Sequence, residues 1–554
     1  MSLIPSDLTP VLRETADQGA GPVRWQLPHW IDRLPPCNHA CPAGENIQGW
    51  LAHAREGDFE AAWRLLVGDN PLPGIHGRAC YHPCESGCNR GDLDEPVAIH
   101  AVERMLGDMA VAEGWTVPAG PPTGKRVLIV GAGPAGLSCA WHLRLLGHEV
   151  EIRDEHEKPG GMMHYGIPAY RLPRDELERE IDRIAAMGVT MTMGTRVDDI
   201  EAAMADFDAC FVAVGTHAGN HLDIPAADGS HMVDAISMLE QVEKGEAPLL
   251  GRTVGVIGGG NTAMDAARVA RRLGAEEAIL IYRRDRAHMR ADPYEADEAF
   301  LEGVQAKWLS APVGFDATGV QVEKIELDES GELKPTGTYE TLSVDSLVLA
   351  LGQHADVDFL RDVEGVVIGR NGSVGVDSAL MTGRPGLFAG GDAIGGLMTM
   401  TAATGHGKRA ARAIDAFLAG RPVDAPQPAE PIPFPDLHLP LFLDAGQTHP
   451  SELPVAARTG FAEVVAAISE RQGRYEAERC LSCGVCFTCD NCLAACPEQA
   501  ITRVAGGPPH YVADPDLCTG CAVCFDQCPC HAITMQPAET VADAKAPPRF
   551  TTRA

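Results

Sequence analysis

The spacing of hydrophobic residues divides the chain into a helical first part and an α/β second part. Apolar residues recur at helical spacing over residues 47–51, 61–66 and 97–109, which predicts a mainly helical segment up to residue 118. From residue 126 onward, short Val and Ile runs alternate with Ala- and Leu-rich stretches, a pattern typical of parallel α/β architecture. The Pro- and Gly-rich residues 118–124 separate the two parts.

The pattern changes again beyond residue 420. Residues 422–440 are rich in proline and are expected to form an extended connector, whereas residues 461–479 have helical spacing. The tail from residue 536 is rich in Ala, Pro and charged residues, which predicts disorder. A third unit is therefore expected between the connector and the tail.

A strand-like run at residues 126–130 is followed directly by the sequence G-x-G-x-x-G. The first glycine of such a sequence permits a tight turn, the second lets the backbone approach a pyrophosphate, and the third lets a helix pack on the strand. An acid that can bind a ribose follows about 20 residues further on, after the next strand. The candidate residues of this dinucleotide site are Gly131, Gly133, Ala135, Gly136 and Asp154.

A second fingerprint of the same kind follows the strand-like residues 253–257. Its candidate residues are Gly258, Gly260, Asn261, Thr262 and Ala263, with alanine in place of the third glycine. The next strand-like run ends in Arg283 and Arg284 rather than in an acid, and cations here suit the 2′-phosphate of NADP(H). Arginines at a solvated strand end are the alternative. Asp285 could favour the 2′-hydroxyl of NAD, so NADPH is preferred and NADH stays open.

Fifteen of the 18 cysteines lie at spacings typical of iron–sulfur ligands. Two C-x2-C-x2-C-x3-C-P runs near the C-terminal end match the two-cluster bacterial ferredoxin pattern, in which the fourth cysteine of each run ligates the other cluster. The ligands in these runs are Cys486, Cys489, Cys492, Cys496, Cys518, Cys521, Cys524 and Cys528. Zinc is the alternative, but a zinc site needs only four ligands. Cys139 and Cys210 are expected to be small core residues, and Cys530 has no assigned role.

Two further segments resemble a known flavoprotein family. Residues 160–173, G-G-M-M-H-Y-G-I-P-A-Y-R-L-P, are similar to a signature of the glutamate synthase small subunit family. Relatives of that family include the N-terminal half of dihydropyrimidine dehydrogenase and the large subunit of NADH-dependent ferredoxin:NADP reductase. Residues 388–392, F-A-G-G-D, resemble the second FAD-binding segment of two-dinucleotide flavoproteins. The resemblance implies that the chain binds FAD and that Arg290 contacts a phosphate. Beyond the first fingerprint, the FAD-binding residues that it implies are Gly160, Gly161, Met162, Arg171, Gly391, Asp392 and Thr399.

The same family carries an N-terminal domain with two [4Fe–4S] clusters, one of which has a Gln or Glu ligand. The resemblance implies that one cluster is held by Cys41, Cys80, Cys84 and Glu103. Cys37 and Cys88 are implied to hold half of the other cluster, because the upstream cysteine pair of the family is missing here. A similar pair, Cys480 and Cys483, stands just before the ferredoxin runs. We expect this pair to complete the second cluster, within one chain or across a dimer.

The number of ligands then matches four clusters, because 15 cysteines and Glu103 supply 16 ligands, four for each cluster. Three clusters are the alternative, in which Cys37, Cys88, Cys480 and Cys483 are unused. For Glu103, the alternative is an ordinary surface glutamate on a helix.

Charge and hydropathy narrow the class of protein further. The net charge of −32 argues against nucleic acid and anionic membrane surfaces as partners. No apolar stretch reaches the ~18 residues of a membrane span. The first residues lack a secretory signal, and many cysteines in such a chain indicate reduced thiols. We therefore expect a cytoplasmic protein.

Together these features predict an FAD- and NAD(P)H-dependent oxidoreductase that divides hydride pairs into single electrons. Its expected partner is a redox protein, such as a ferredoxin or a terminal reductase or synthase subunit, and a homodimer stays open. The alternative is an electron-input subunit like the glutamate synthase small subunit. A non-enzymatic electron store is a third class, which would not need a nicotinamide site. No side chain is expected to act as an acid or base, and His288 and His406 are expected to be surface or core residues.

The predicted fold is multidomain, with two α/β Rossmann-like domains of which the nicotinamide domain is inserted in the flavin domain. The predicted domains are a helical [4Fe–4S] domain (1–118), the first part of the FAD domain (119–227), an NAD(P)H domain (228–355), the second part of the FAD domain (356–420), a linker (421–475), an α+β ferredoxin-like domain (476–540) and a disordered tail (541–554).

Overall fold

The computed structural model describes residues 25–220, 222, 224–225, 231–423, 429–439, 442–504 and 510–538 of the chain. The predictions for residues 1–24, for the tail 541–554 and for parts of the proline-rich connector lie outside these ranges. None of the helices in the described ranges combines the length with the hydropathy that a membrane-spanning segment requires.

The first unit is a bundle of short helices preceded by one strand. Its elements are β1 (Gln26–Trp30), α1 (Pro36–Ala40), α2 (Ile47–Glu56), α3 (Phe59–Val67), α4 (Pro73–Ala79), α5 (Pro83–Ser86) and α6 (Ile99–Glu113). Trp50 and Trp63 are fully buried in its core. Helices α4 and α6 pack closely where Gly74 faces Gly107. A Cβ on Gly107 would lie only 2.3 Å from the Gly74 nitrogen. The predicted helical character is confirmed for this bundle.

The chain then forms four strands of a parallel sheet and the helices beside it. These elements are β2 (Arg126–Val130), α7 (Pro134–Leu145), β3 (Glu149–Arg153), α8 (Met162–Tyr165), α9 (Arg174–Ala186), β4 (Thr190–Thr192), α10 (Ile200–Met204) and β5 (Ala209–Val212). Strand β2 lies between β3 and β5, and all pairings are parallel. The nearly continuous apolar residues of β2 and β5 fit strands that are buried on both faces.

A second unit follows. Its elements are β6 (Ala218–Gly219), β7 (Met232–Asp234), α11 (Ala235–Glu243), β8 (Thr253–Ile257), α12 (Asn261–Arg272), β9 (Glu277–Ile281), α13 (Pro293–Leu301), β10 (Gln305–Lys307), β11 (Ser310–Asp316), β12 (Gly319–Leu327), β13 (Leu333–Leu342), β14 (Ser346–Leu349) and β15 (Gln353–His354). Five of these strands form a parallel sheet in the order β10-β9-β8-β14-β7. Strands β11, β12 and β13 form an antiparallel sheet, and β15 pairs with β6.

The chain returns to the first sheet after this unit. Strand β16 (Leu387–Ala389) pairs with β5, which gives the order β16-β5-β2-β3-β4, and helix α14 (Met400–Leu418) follows. Helix α14 packs closely on α7, because a Cβ on Gly407 would lie 2.2 Å from the Ala135 carbonyl oxygen. The second sheet is therefore formed by residues that lie between strands β5 and β16 of the first.

The C-terminal unit contains α15 (Glu470–Glu478), α16 (Asn491–Ala495), β17 (Ile501–Arg503), β18 (Tyr511–Ala513), α17 (Val523–Asp526) and β19 (Ile533–Pro537). Strand β1 pairs antiparallel with β19, so the strand that precedes the helical bundle belongs to the C-terminal unit. The segment up to residue 118 is thus mainly helical apart from this strand, and the disorder predicted from residue 536 is wrong for residues 536 and 537, which pair with β1. The helix predicted over residues 461–479 is shorter, because it begins only after its N-cap, Ser469.

Residues 442–469, here called the strap, connect several units rather than forming a free linker. The Gln447 N–H donates to Glu95 in the helical unit at 2.7 Å. The Val464 N–H donates to the Tyr170 carbonyl oxygen at 3.0 Å. Arg458, whose side chain is 3% exposed, forms ion pairs with Glu298, Glu302 and Glu452. The strap therefore connects the helical unit with the units that contain the two parallel sheets.

Candidate cofactor and iron–sulfur sites

The first glycine fingerprint forms an open cradle between β2 and α7. Gly131 has a φ of +111°, and a Cβ there would lie 2.3 Å from the Ala213 carbonyl oxygen. A Cβ on Gly136 would lie 1.9 Å from the Gly131 carbonyl oxygen, so only glycine fits between strand and helix. Around Gly133, no atom of the described residues lies within 4 Å of such a Cβ. Gly133 is the N-cap of α7, where unpaired N–H groups suit a pyrophosphate.

Asp154 and the loop at residues 160–161 complete one side of this cradle. The Asp154 carboxylate accepts hydrogen bonds from the Ala132 N–H at 2.7 Å and from the His156 N–H at 2.8 Å. Burial works to raise the pKa of Asp154, but the hydrogen bonds from His156 and Ala132 outweigh it and lower the pKa. A Cβ on Gly161 would lie 2.9 Å from the Gly133 Cα, so Gly160, Gly161 and Met162 lie directly against the fingerprint.

The F-A-G-G-D segment lies at the other side of the cradle. Gly391 has a φ of +67°, and its N–H donates to His406 Nδ1 at 3.0 Å, so this histidine holds the backbone. Burial raises the pKa of Asp392 to about 6, although a hydrogen bond with Thr216 opposes the shift. Thr399 caps the N-terminus of α14. Gly391 lies against the fingerprint, because a Cβ on it would lie 3.1 Å from the Ala135 Cβ.

Arg171 is engaged by carboxylates of the second unit. Its guanidinium pairs with Asp265 at 2.8 Å and with Glu295. Burial works to lower the pKa of Arg171, but Asp265 and Glu295 outweigh it and raise the pKa well above its usual range. Arg171 has both sides of its guanidinium bound in this way, and its assignment to the cofactor stays a prediction. It joins the 160–173 segment to helices α12 and α13.

The second fingerprint forms a similar cradle between β8 and α12. Gly258 has a φ of +149°, and a Cβ there would lie 2.4 Å from the Ala350 carbonyl oxygen. Gly260 is the N-cap of α12, and a Cβ on it would have no atom of the described chain within 4 Å. Ala263 is fully buried, which explains why alanine suffices at the third position. The Asn261 side chain accepts a hydrogen bond from the Asp292 N–H at 2.7 Å.

Three arginines lie beside this second cradle. Arg283 and Arg284 follow the end of β9, and the Arg290 N–H donates to the Gly259 carbonyl oxygen at 3.0 Å. Among the described residues, no carboxylate forms an ion pair with these three guanidiniums, whereas the neighbouring Arg286 pairs with Asp297. Arg283, Arg284 and Arg290 are therefore available to an anion.

Asp285, which sequence alone left as a candidate for the 2′-hydroxyl of NAD, has local partners. Its carboxylate accepts hydrogen bonds from the His288 N–H at 3.0 Å and from His288 Nδ1 at 2.7 Å. The hydrogen bond from the His288 side chain lowers the pKa of Asp285. The Asp285 carboxylate is therefore already engaged by His288. The surface position expected for His288 agrees with its exposure.

Four groups of ligand-type side chains converge in the helical and C-terminal units. The first group, here called the proximal group because it lies beside the FAD segment, is formed by Cys41, Cys80, Cys84 and Glu103. Burial raises the pKa of Cys84, and the nearby Glu85, Cys80, Cys41 and Glu103 raise it further. All the cysteines of the described residues are free thiols. Glu103 is buried, which excludes the surface alternative considered for it.

The second group is formed by Cys37, Cys88, Cys480 and Cys483. These four thiols line one small cavity between the helical unit and the segment after α15. Burial raises the pKa of Cys37, with Cys480, Cys88 and Cys483 as further causes. The Asn89 side chain donates to Cys483 Sγ at 3.5 Å. A single chain thus supplies all four thiols, and the expected pairing needs no dimer.

The C-terminal unit forms the remaining two groups. The third group is Cys486, Cys489, Cys492 and Cys528, and the fourth group is Cys496, Cys518, Cys521 and Cys524. Burial raises the pKa of Cys492 to about 12, followed by Cys528, Cys486 and Cys489. The fourth cysteine of each run lies with the three of the other run, as the double pattern predicts. Cys530 Sγ lies 3.8 Å from Cys528 Sγ, while Cys139 and Cys210 are buried in the first sheet's core.

Short covalent segments join these groups in one order. Helix α1 contains Cys37 and ends just before Cys41, so it links the second group to the proximal group. Residues 483–486 link the second group to the third. Helices α16 and α17 link the third group to the fourth. Four helical residues span about 6 Å along the axis. The non-helical link from residue 483 to residue 486 spans at most about 11 Å even when extended, so neighbouring groups lie close together. The row begins beside the FAD segment, where the Thr401 hydroxyl donates to Cys80 Sγ at 3.1 Å. It ends at the exposed Cys521.

Sequence reasoning missed several polar residues around the proximal group. The Asn70 amide contacts both Glu45 and Glu103, and these three residues are buried. His76 is also buried and bonds Thr404 of α14 at 3.0 Å. No motif contains these residues, so only the fold could reveal them.

Two nucleotide-type cradles on parallel sheets, next to convergent thiols, define a dinucleotide-dependent oxidoreductase with iron–sulfur domains. The chain belongs to the pyridine nucleotide-disulphide oxidoreductase family, whose description matches residues 125–407. Residues 33–115 match dihydropyrimidine dehydrogenase domain II with a 4Fe-4S cluster, and residues 485–532 match a 4Fe-4S dicluster domain. It is thus an NAD(P)H-dependent, FAD-type oxidoreductase with an electron-transfer role.

Curated relatives span most of the chain. The NADP(+)-dependent formate dehydrogenase subunit beta of Moorella thermoacetica is 37% identical over an alignment of 499 residues, and the match covers 81% of this chain and 70% of that protein. The NADPH-Fe(3+) oxidoreductase subunit beta of Geobacter sulfurreducens is 33% identical over 506 residues, covering 81% and 75%. The glutamate synthase [NADPH] small chain of Azospirillum brasilense is 33% identical over 417 residues, covering 69% and 86%. The predicted family resemblance is confirmed.

Proposed function

We propose that this protein is an NADPH:acceptor oxidoreductase. FAD would lie in the first cradle, NADPH in the second, and a [4Fe–4S] cluster in each of the four groups. A nicotinamide supplies a hydride, a flavin accepts two electrons and releases them singly, and a cluster carries one electron at a time. The second sheet would then belong to a nucleotide domain inserted in the flavin domain, and the C-terminal unit would be a ferredoxin-like domain.

The observation that carries this proposal is the single row of ligand groups. It begins at Cys80, which Thr401 of the FAD segment contacts, and it ends at Cys521 on the surface. The chain's own residues hold the two cradles open, place the thiols at ligand positions and bury most of them from solvent. The donor sets fit the clusters, because each group offers four thiol or carboxylate ligands.

Iron analysis tests the number of clusters. If the second group holds a cluster, anaerobically purified protein contains about 16 iron atoms and an equal number of sulfides per chain. A value near about 12 would contradict the proposed four clusters and favour the three-cluster alternative.

The acceptor would be a redox protein that docks near the exposed end of the row. A second candidate function is an electron-input subunit of a larger assembly. The names of two relatives favour it, since one is a formate dehydrogenase subunit and another is a glutamate synthase small chain. Both functions use the same internal path, and they differ in whether the partner is bound permanently. The reduced thiols suit a cytoplasmic location.

The nucleotide preference can be tested at the second cradle. We expect replacement of Arg283 and Arg284 by alanine to raise the KM for NADPH by about 10- to 100-fold, because a charge-assisted hydrogen bond contributes about 1.5–3 kcal/mol. The KM for NADH should change little. Arg286→Ala is the matched control, since Arg286 is exposed but paired with Asp297, and it should leave both values unchanged. Equal losses for the two nucleotides in the double variant would refute the assignment.

The first cradle yields a second prediction, from two glycines three residues apart. Gly133→Ala should fold normally but bind little FAD, because its methyl group meets no atom of the described protein and occupies the space left for a pyrophosphate. Gly136→Ala should lower stability by about 1–3 kcal/mol or more, because its methyl group overlaps the Gly131 carbonyl oxygen. Flavin absorbance per chain and melting temperature measure the two effects. Normal flavin content in Gly133→Ala would contradict the cradle.

A further inference from the structure

A buried amide connects two carboxylates beside the proximal group. Asn70 Nδ2 donates to Glu103 Oε1 at 2.8 Å and to Glu45 Oε1 at 3.1 Å. Asn70 is fully buried, and both carboxylate residues are buried with it. Since an amide nitrogen has two hydrogens, these two contacts use its full donor capacity.

The orientation of this amide is fixed from its other end. Asn70 Oδ1 accepts a hydrogen bond from the Leu72 N–H at 3.0 Å, so the nitrogen must face the carboxylates. Glu45, Glu103 and His76 place one ligand-type atom each within 4.8 Å of one another. The amide therefore lies where it can select the position of the Glu103 carboxylate.

Helix α14 of the FAD segment anchors the surrounding loops. Lys408 Nζ donates to the Gly44 carbonyl oxygen at 2.7 Å and pairs with Asp69 at 3.0 Å. Gly44 and Asp69 immediately precede Glu45 and Asn70. The positions of both residues are thus set by the same lysine.

We propose that Asn70 and Glu45 are positioning residues for the carboxylate ligand of the proximal cluster. Asn70 holds Glu103 by a hydrogen bond, and Glu45 holds the second hydrogen of the same amide. This inference rests on the proposed function, in which Glu103 is a ligand.

Outer partners of metal ligands change metal affinity by about 10- to 100-fold when they are removed. We expect Asn70→Ala to make the proximal cluster about 10- to 100-fold more sensitive to an iron chelator, with a shifted electron paramagnetic resonance signal. Flavin content and reduction of FAD by NADPH should stay near those of the wild type. Glu45→Ala, which removes the oxygen that accepts the second hydrogen of the amide, should shift the same signal, whereas Glu45→Gln, which keeps an oxygen acceptor, should leave the signal near that of the wild type.

Asn89→Ala is the matched control, because Asn89 is a buried amide that donates to Cys483 of the second group. It should leave the proximal signal unchanged. Glu103→Ala distinguishes a failure of the positioning role of Asn70 and Glu45 from a failure of the Glu103 ligand assignment. If Glu103→Ala alters the proximal signal while Asn70→Ala and Glu45→Ala leave it at the wild-type position, the inference is overturned and the ligand assignment stands. If Glu103→Ala also leaves the signal unchanged, the ligand assignment itself fails.

Discussion

Replacement of Cys480 and Cys483 by alanine is expected to cut electron transfer between the flavin and the C-terminal unit. The second group loses half of its ligands, so iron should fall from about 16 to about 12 atoms per chain. NADPH should still reduce FAD and the proximal cluster, because both lie before the break. The third and fourth groups should stay oxidised on the time scale of turnover. Rapid-mixing absorbance and freeze-quenched resonance spectra measure these steps.

Two controls make this result specific. Cys139→Ala removes a buried thiol of the first sheet's core and should leave iron and electron transfer unchanged. Cys521→Ala removes a ligand of the fourth group only, so reduction should still reach the second and third groups. If the double variant keeps about 16 iron atoms and full reduction of the C-terminal unit, the second group holds no cluster in the path.

Arg458→Met is expected to destabilise the protein by about 3–5 kcal/mol. The Arg458 side chain is 3% exposed and is bound by Glu298, Glu302 and Glu452. Methionine fills similar space but leaves buried carboxylates without this cation, which is the costly way to break an ion pair. Because Arg458 lies on the strap, the loss should also loosen the second sheet's unit against the helical unit.

The melting temperature of the cofactor-loaded protein measures this effect, and limited proteolysis locates it. Cleavage should begin within the strap in Arg458→Met. Arg361→Ala is the matched control, since Arg361 and Asp358 form an exposed pair worth about 0–1 kcal/mol. A melting temperature of Arg458→Met equal to that of Arg361→Ala would show that the strap contributes no stability through this residue.

The sequence predicts the parts of this molecule that depend on local geometry. Gly131 and Gly258 need positive φ values, and Gly136 needs a close approach, so their spacing alone identified both cradles. The cysteine runs likewise predicted the crossed third and fourth groups. The pair Cys480 and Cys483 was predicted from its resemblance to the family's upstream pair, with which the ligand count agrees, and the structure brings it to Cys37 and Cys88.

Features that depend on distant partners were missed. Strand β1 is only five residues long, and its partner β19 lies near the other end of the chain, so no local pattern reveals the pairing. Arg171 lies within a cofactor signature, but its carboxylate partners come from helices α12 and α13. Asn70 resembles a surface residue in the sequence and is fully buried in the fold.

An anaerobic titration of the whole protein with NADPH tests the central claim most directly. We expect NADPH to bleach the flavin and all four cluster signals then to develop. About six electrons should be taken up per chain, two by the flavin and one by each cluster. NADH should act more weakly at the same concentration. If the flavin and the clusters stay oxidised with NADPH, or if the flavin alone is reduced, the proposed path from nucleotide to surface is contradicted.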